Sequence, residues 1–353
     1  MKGLILTGGK GTRLRPITHT FAKQLIPIAN KPVLYYGIES LAACGVTDIG
    51  FVVGDTKDEI KKAVGDGSRW GIKPTFIEQE QPLGLAHAVM ISEPFIGTDS
   101  FIMYLGDNLI LSGIKQFVDL FVKNKPNAHI MLARVPSPQQ FGVAEISGNK
   151  VVRLVEKPKQ PKSDLALVGV YLFDNNIFPA VKSLKPSARG ELEITEAIQY
   201  LLDHKKNIEY SEVQGWWKDT GKLEDLLEAN RTLLDQIQEH WQGSFDKKSK
   251  IEGKVIIEDN AKIIRSTVRG PVVIGKDSVI EDSYIGPFTS IYYNVRIRHS
   301  EIEHSVVLEN SIIDDVKRIE DSLIGQRVEI KRSQTKPKAY RITVGDSSRV
   351  EII

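Results

Sequence analysis

The sequence predicts two folds in succession: an α/β domain with a mixed, mostly parallel sheet over residues 1–240, and a parallel β-helix over residues 251–353. In the first part, apolar strand-like runs alternate with helical patterns, which is typical of a parallel sheet covered on both faces. Residues 251–353 contain 31 Ile and Val but only 2 Leu. This excess of β-branched residues favours strands.

In the first part, the apolar runs predicted as strands are 3–6, 48–53, 74–77, 100–105 and 129–133. A helix is predicted over 32–45, because its apolar residues share one face and Pro32 suits a first turn. Residues 142–156 predict a hairpin that turns at Gly148-Asn149. A helix predicted over 223–241 closes this half of the chain.

The second part shows a six-residue periodicity after a polar stretch, 243–250, which we interpret as a boundary. Isoleucines recur about every six residues, as at Ile251, Ile257 and Ile263. One inward Ile or Val per flat side predicts a β-helix with roughly 18 residues per triangular coil, so about four to five coils fit. The alternative is a β-sandwich with accidental periodicity.

Composition excludes several classes of protein. Of the 353 residues, 47 are Lys or Arg and 45 are Asp or Glu, so the net charge of +2 argues against a general nucleic-acid binder. The single cysteine, Cys44, excludes an internal disulfide and a thiolate metal cluster. No run reaches the roughly 18 apolar residues of a membrane helix. We therefore expect a cytoplasmic enzyme or binding protein with no membrane partner.

The first predicted strand runs into a glycine-rich turn with the sequence TGGKGTRL. Glycines let backbone N–H groups approach an anion, and clustered Arg and Lys side chains neutralise phosphate oxygens. The spacing fits neither the P-loop motif nor the dinucleotide-binding fingerprint. The sequence therefore predicts a polyphosphate cradle. Its glycines are Gly8, Gly9 and Gly11, and its cations are Lys10, Arg13, Arg15 and Lys23.

Further motifs follow in order along residues 1–240: Leu6–Pro16, Lys23–Pro27, Asn30–Pro32, Glu78-Gln79 with Gly84–Ala86, Leu105–Asn108, Phe141-Gly142, Glu156–Lys162, Gly190–Thr195 and Trp217–Gly221. Together they resemble the signature of the sugar-1-phosphate nucleotidyltransferase family. Within that family they are most similar to the long-form thymidylyltransferases, which carry a C-terminal hexapeptide-repeat domain. The resemblance implies a Rossmann-like nucleotidyltransferase domain followed by a left-handed β-helix.

The resemblance also implies a reaction. A phosphate oxygen of α-D-glucose 1-phosphate attacks the α-phosphorus of dTTP, which gives dTDP-glucose and pyrophosphate for deoxysugar biosynthesis. The nucleophile is already an anion, so alignment and charge neutralisation matter more than a general base. A homo-oligomer that depends on Mg²⁺ is expected.

For the phosphates, the resemblance assigns triphosphate binding to Arg13 and a position between the α-phosphate and the sugar phosphate to Lys23. Asp107 follows an apolar run, so we expect it at the carboxyl end of a strand, where α/β sheets bind ligands. Asp107 and Asp219 resemble the two carboxylates that hold Mg²⁺.

For the base and the sugar, the resemblance assigns two further groups of residues. The predicted nucleotide-binding residues are Gly8, Gly9, Gly11, Thr12, Gln79 and Gly84, with Gln79 reading the pyrimidine edge. The predicted sugar-phosphate-binding residues are Gly142, Glu156, Lys157, Val168 and Trp217.

The sequence departs from the family pattern near the base pocket. Pro82-Leu83 precedes Gly84 where thymidylyltransferases more often have Asp before the glycine, and His87 stands where Gln is usual. A UTP-specific uridylyltransferase is therefore an alternative, whereas Gln79 argues against purine nucleotides.

Two different functional classes also fit parts of the sequence. His299 and His304 lie in the tail, and some β-helix proteins use a histidine in acetyl transfer from acetyl-CoA, so one of these classes is a bifunctional enzyme with an acetyltransferase tail. The second is a non-catalytic regulatory subunit on the same fold. The presence of Arg13, Lys23, Asp107 and Asp219 argues against a regulatory subunit.

Overall fold

The computed structural model describes residues 1–9, 11–19, 21–333 and 340–351. Contacts divide them into two units. The first contains the described residues of 1–10, 22–25 and 33–219, and the second contains those of 11–21, 26–32 and 220–353. The separation into domains 1–240 and 251–353 stays a prediction.

Numbered along the chain, the strands before residue 220 are β1 (Lys2–Leu6), β2 (Pro27–Ile28), β3 (Lys31–Pro32), β4 (Asp48–Val53), β5 (Lys73–Glu78), β6 (Phe101–Leu105), β7 (Asn108–Ile110), β8 (Ala128–Arg134), β9 (Gly142–Ser147), β10 (Lys150–Glu156), β11 (Leu165–Phe173), β12 (Ile208–Glu212) and β13 (Trp217–Asp219). The helices are α1 (Val33–Ala43), α2 (Lys57–Val64), α3 (Leu85–Ile91), α4 (Glu93–Ile96), α5 (Lys115–Asn124), α6 (Ile177–Ser183), α7 (Ile194–Asp203) and α8 (Leu223–Leu234). Among the described residues, no helix combines the length and apolar character needed to cross a membrane.

The first unit contains a mixed sheet with the strand order β10-β9-β11-β6-β1-β4-β5, and β8 pairs with β11 and β12. Strands β6, β1, β4 and β5 are parallel, and β11 runs antiparallel to β6. The central strands are buried along most of their length, and they contain the continuous apolar runs that strands covered on both faces require. The predicted α/β fold and the hairpin of β9 and β10 are confirmed.

In the second unit, the strands after residue 239 form three sheets of parallel strands. Along the chain they are β14 (His240–Trp241), β15 (Ser244–Phe245), β16 (Lys250–Glu252), β17 (Val255–Ile257), β18 (Lys262–Ile264), β19 (Thr267–Arg269), β20 (Val272–Ile274), β21 (Val279–Glu281), β22 (Tyr284–Ile285), β23 (Thr289–Ile291), β24 (Arg296–Arg298), β25 (Glu301–Ile302), β26 (Val306–Val307), β27 (Ile312–Asp314), β28 (Leu323–Ile324) and β29 (Glu329–Lys331). The sheet orders are β14-β17-β20-β23-β26-β28, β15-β18-β21-β24-β27-β29 and β16-β19-β22-β25. Up to β27 each sheet takes every third strand, and in the last coil an isolated parallel bridge between Ile302 and Ile319 takes the place of a strand in the third sheet. The predicted left-handed parallel β-helix is confirmed.

Coils of this β-helix are slightly shorter than the predicted length of about 18 residues. Val255 pairs with Val272, and Val272 pairs with Thr289, so these coils take 17 residues. The corners of these coils are tight turns with left-handed backbone conformations, as at Asn260 and Asp277. Asn and Asp tolerate this conformation better than most residues.

Buried serines connect successive coils of the β-helix. The N–H of Ser283 donates to the Oγ of Ser266 (3.0 Å), and the N–H of Ser300 donates to the Oγ of Ser283 (3.1 Å). Each serine Oγ–H donates in turn to a carbonyl two residues earlier. Because these corners are buried, the stacked serines give hydrogen-bond partners to backbone N–H and carbonyl groups that would otherwise have none.

One local prediction at the junction is wrong. The helix predicted to reach residue 241 ends at Leu234, and His240–Trp241 is a strand that pairs with Ile256–Ile257. Ser244–Phe245, within the stretch interpreted as a boundary, is also a strand of the first coil. The apolar spacing continues past Leu234, but strand pairing with the next coil competes successfully with one further helical turn.

Asn230 lies on the apolar face of α8 and is buried. Its Oδ1 accepts hydrogen bonds from the N–H of Ala29 (2.9 Å) and the Oγ of Ser290 (2.6 Å), and its Nδ2 donates to the carbonyl of Phe288 (3.0 Å). One amide therefore joins α8, the loop before β3 and the β-helix within the second unit.

Replacing Asn230 by Leu should lower the free energy of unfolding by about 2 kcal/mol, because it leaves one buried hydroxyl and two partly buried backbone groups without this partner. Urea unfolding of the whole chain measures this loss. Asn124→Leu is the matched control, since the Asn124 amide is exposed and bonds only to an exposed carboxylate. Equal stability of the two variants would contradict the role of Asn230.

Candidate active site

The site lies where the strand order of the first unit changes direction. β1 has β4 on one side and β6 on the other, and the three strands are parallel. Such a switch point opens a crevice at the carboxyl ends of the strands, where α/β sheets bind ligands. Thr7 fixes the turn there, because its N–H and its Oγ1 both donate to the carbonyl of Val52 (2.9 and 2.7 Å).

The glycine turn after β1 approaches two predicted site residues closely. A Cβ on Gly8 would lie 3.2 Å from the Oε1 of Gln79, and a Cβ on Gly9 would lie 3.0 Å from the Cε of Lys23. Any larger residue would push these side chains away. The structure therefore brings Gly8, Gly9, Lys23 and Gln79 together at one edge of the sheet.

Lys23 and Asp107 form an ion pair in the crevice, and their side chains are only 15% and 13% exposed. Burial alone would raise the pKa of Asp107, but the Lys23 ammonium outweighs it and holds that pKa below its usual value. Asp107 is therefore a carboxylate at neutral pH. It lies just beyond β6, the position predicted for it.

The small sheet of β7 and β13 brings the backbone of Asp219 next to that of Asp107. Asp219 pairs directly with Asn108, so the two aspartates lie one residue out of register across this ladder. The Nδ2 of Asn108 donates to the Oδ1 of Asp107 (3.2 Å). Its Oδ1 accepts from the Nε1 of Trp217 (2.7 Å). Asn108 ends one of the motifs found in the sequence, but the sequence predicted no role for it.

The donor set around Asp107 and Asp219 fits Mg²⁺. Within the part of the chain that the structure describes, no group of three or more His, Cys, Asp or Glu side chains is placed to hold a metal unaided. Mg²⁺ in phosphate-transferring sites commonly takes one or two carboxylates and completes its shell with water and substrate phosphates. Asp107 and Asp219 would supply two such carboxylates.

The predicted base-reading residue, Gln79, lies at the end of β5. Its Nε2 donates to the carbonyl of Gly84 (3.2 Å) and contacts the Nδ1 of His87 (3.0 Å). Gly84 has φ +103°, and a Cβ there would lie 2.5 Å from the carbonyl oxygen of Leu192. Only glycine fits this close approach between the start of α3 and the 190–195 segment.

Glu156 is the centre of the predicted sugar side. Its Oε2 accepts from the Oγ1 of Thr195 (2.6 Å), and its Oε1 lies 3.1 Å from the Nη2 of Arg189 and 4.0 Å from the Nζ of Lys157. Arg189 also binds the buried Glu193 (2.7 Å). Sequence reasoning missed Arg189 and Thr195, although the quoted 190–195 motif contains Thr195.

The remaining predicted sugar-side residues surround the same crevice. Gly142 pairs with Glu156 in the hairpin, and the ring of Phe141 meets Trp217 edge-on at 5.8 Å. Val168 is buried in β11, two residues before Val170, which pairs with Tyr104 of β6. Antiparallel pairing therefore places the Val168 backbone beside the carboxyl end of β6.

These contacts close into a ring within the first unit. It runs from Gly8 to Gln79 and Gly84, continues along the 192–195 segment to Glu156, and returns through Gly142 and its neighbour Phe141, then Trp217, Asn108, Asp107 and Lys23, to Gly9. It joins the predicted base, phosphate, metal and sugar positions around one crevice. The roles of the individual residues stay predictions.

Gly11, Thr12 and Arg13 belong to the second unit. Gly11 adopts φ +61° before a short 3₁₀ turn at Thr12–Leu14, and a Cβ on Gly221 would lie 2.9 Å from the Nη2 of Arg13. Their contribution to the phosphate site stays a prediction, and Lys10 lies outside the described residues.

The tail histidines lie at separate corners of the β-helix. His299 is 60% exposed, with ring nitrogens 3.8 and 3.6 Å from Asp282 and Asp314. His304 lies 3.4 Å from Asp321 and meets the Phe288 ring edge-on. The structure does not bring the two histidines together, and acetyl transfer by the tail stays untested.

A sheet switch point that carries the Lys23–Asp107 pair, with Asp219 and the Gln79 amide linked to it, fits the class of enzymes that transfer nucleotidyl groups to phosphates. A family model described as nucleotidyl transferase matches residues 2–236. The chain belongs to this family and is a nucleotidyltransferase, as the sequence predicted. Enzymes of the family are generally dependent on a divalent metal.

Named relatives share the whole length of the chain. It is 51% identical to a glucose-1-phosphate thymidylyltransferase of Streptomyces antibioticus, over 100% of this chain and 99% of the relative. It is 44% identical to a low-salt glycan biosynthesis nucleotidyltransferase of Haloferax volcanii, over 100% of both chains. A Bacillus anthracis structure in complex with sucrose, described as a glucose-1-phosphate thymidylyltransferase, is similar with a TM-score of 0.64 and 38% identity, over 68% of this chain and 97% of that one.

Proposed function

We propose that this chain joins dTTP and α-D-glucose 1-phosphate to give dTDP-glucose and pyrophosphate. The observation that supports the proposal is the ring of contacts that links the Lys23–Asp107 pair to Gln79 through the glycine turn, and to Glu156 through Asn108 and Trp217. A nucleotide and a sugar phosphate that react through their phosphates need such a site. The phosphates lie in the middle, the neutral base lies at one end and the neutral sugar ring lies at the other. Full-length identity of 51% to a glucose-1-phosphate thymidylyltransferase supports the same substrates.

At the centre, the task is to bring two anions together. Lys23 places an ammonium in a mostly buried crevice, where its attraction for phosphate oxygens is stronger than in water. When bound at Asp107 and Asp219, Mg²⁺ supplies further neutralisation of the phosphate charge. Arg13 is proposed to bind the triphosphate. Since the attacking phosphate oxygen is already ionised, none of these residues has to remove a proton.

At the two ends, hydrogen-bonding groups select the substrates. Gln79 and Gly84 are proposed to bind the base, while Gly8, Gly9, Gly11 and Thr12 bind the nucleotide through backbone groups and a hydroxyl. Glu156 is proposed to accept hydrogen bonds from sugar hydroxyls. The remaining proposed sugar contacts are Gly142, Lys157, Val168 and Trp217.

A pyrophosphate-release assay tests this function directly. dTTP, UTP, ATP and GTP are each offered with glucose 1-phosphate and with other sugar 1-phosphates in the presence of Mg²⁺. The expected result is the highest kcat/KM for dTTP with glucose 1-phosphate. A clear preference for UTP would replace the proposal by a uridylyltransferase, and added acetyl-CoA with an amino-sugar phosphate tests the tail.

Replacing Gly84 by Ala should reduce kcat/KM for dTTP by about tenfold or more, because a small displacement of a positioning element is costly in catalysis. The new methyl group would overlap the Leu192 carbonyl. Gly97→Ala is the matched control: Gly97 also has positive φ (+63°), but no atom lies within 4 Å of its Cβ position. If both variants behave alike, backbone strain alone explains the loss.

Assembly and location are also part of the proposal. We propose that the chain forms a homo-oligomer in the cytoplasm. Light scattering coupled to size-exclusion chromatography tests the oligomer, and a monomer at assay concentrations would contradict it.

A further inference from the structure

The amide of Gln79 is held in one orientation by its neighbours. A backbone carbonyl can only accept hydrogen bonds, so the Gly84 carbonyl at 3.2 Å favours the amide orientation in which Nε2, and not Oε1, faces it. The second hydrogen of this nitrogen points to the Nδ1 of His87 at 3.0 Å. Both amide hydrogens are therefore used within the protein, and Oε1 lies on the side of Gly8.

His87 can take this hydrogen only as a neutral ring. Burial lowers the pKa of His87, which favours the neutral form near neutral pH. With the proton on Nε2, the lone pair of Nδ1 accepts from Gln79. His87 and Gly84 both belong to the start of α3, so one helix end presents both acceptors.

We propose that His87 is a positioning residue that restricts Gln79 to a hydrogen-bond acceptor toward the base. This inference rests on the proposed function, in which Gln79 reads the base. An acceptor at Oε1 selects bases with an N–H at position 3, which thymine and uracil have. Cytosine has a lone pair at that position, so it would face Oε1 with two acceptors opposed.

Rotation of the amide would remove this selection, because Nε2 would then face the base as a donor. The Gly84 carbonyl opposes rotation, because Oε1 would then face an acceptor. In the tautomer that carries its proton on Nε2, the Nδ1 of His87 opposes rotation further, because it presents a second acceptor to Oε1. An unpaired polar group in a buried contact costs enough to give tenfold or larger discrimination. The structure thus links a residue that departs from the family pattern to the choice of base.

The test compares kcat/KM for dTTP and dCTP, with glucose 1-phosphate and Mg²⁺, in the wild type and in variants at position 87. His87→Leu and His87→Phe cannot accept a hydrogen bond, so the dTTP/dCTP ratio should fall by about tenfold or more. His87→Gln offers an acceptor oxygen and should keep the ratio within about threefold of the wild type. His204→Leu is the control, because His204 stacks on Tyr200 at the end of α7 and is exposed.

An unchanged ratio in both apolar variants overturns the inference, and so does an equal fall in His87→Gln. Two apolar side chains of different shape guard against a variant that fails to fold, and thermal unfolding of each confirms its fold. The proposed function fails separately, if the wild-type chain does not turn over dTTP with glucose 1-phosphate. If the wild type uses dTTP but accepts dCTP equally well, only the role of His87 and Gln79 is wrong.

Discussion

Replacing Asp107 by Asn is expected to reduce turnover by about a thousandfold or more while the chain keeps its fold. Asn has the same shape but no charge, so it binds Mg²⁺ weakly and no longer pairs with Lys23. Electrostatic groups placed in a water-poor site contribute large factors to catalysis, and this variant alters two of them at once.

The measurement is pyrophosphate release over a range of Mg²⁺ concentrations, together with thermal unfolding. Asp219→Asn should show a similar loss, since Asp219 is the second proposed metal carboxylate. Asp164→Asn is the control, because Asp164 pairs with Arg134 on the exposed surface. Full activity of the Asp107 variant at ordinary Mg²⁺ concentrations would falsify the metal assignment.

Replacing Lys23 by Met is expected to lower kcat by about a hundredfold to a thousandfold, because it removes the cation beside both reacting phosphates. Met keeps most of the side-chain volume, so the glycine turn at Gly9 retains its neighbour. Lys115→Met is the control, since Lys115 forms only an exposed pair with Asp119. Turnover in the Lys23 variant close to that of the control would place the catalytic cation elsewhere.

The same variant should alter the pH dependence of stability. In the wild type, Lys23 holds the pKa of Asp107 below its usual value, so this carboxylate contributes stability above pH about 4 that is lost as pH falls. Without Lys23, burial raises the pKa of Asp107, and stability is instead lost as pH rises. The difference in melting temperature between the two proteins should therefore widen from pH 4 to pH 7, and a constant difference would contradict this account.

The β-helix and the parallel sheet were predictable because each follows a short repeating pattern. Inward Ile and Val recur once per side, and continuous apolar strands require cover on both faces. The junction was predicted less well. Leu234 and Ile237 share a helical spacing, yet the helix ends between them, since strand pairing of Trp241 with Ile257 is a long-range contact that local periodicity does not contain.

For the active site, the order of motifs along the chain was enough to predict the family and the candidate residues, because the chemistry of phosphates and Mg²⁺ requires particular side chains next to glycine turns. Asn108, Arg189 and His87 acquire their positions only in the folded chain. Their partners, Trp217, Glu156 and Gln79, lie between 8 and 109 residues away. A hydrogen bond depends on distance and direction in space, and sheet order and helix packing set both, so the partners of a side chain cannot be read from its neighbours in sequence.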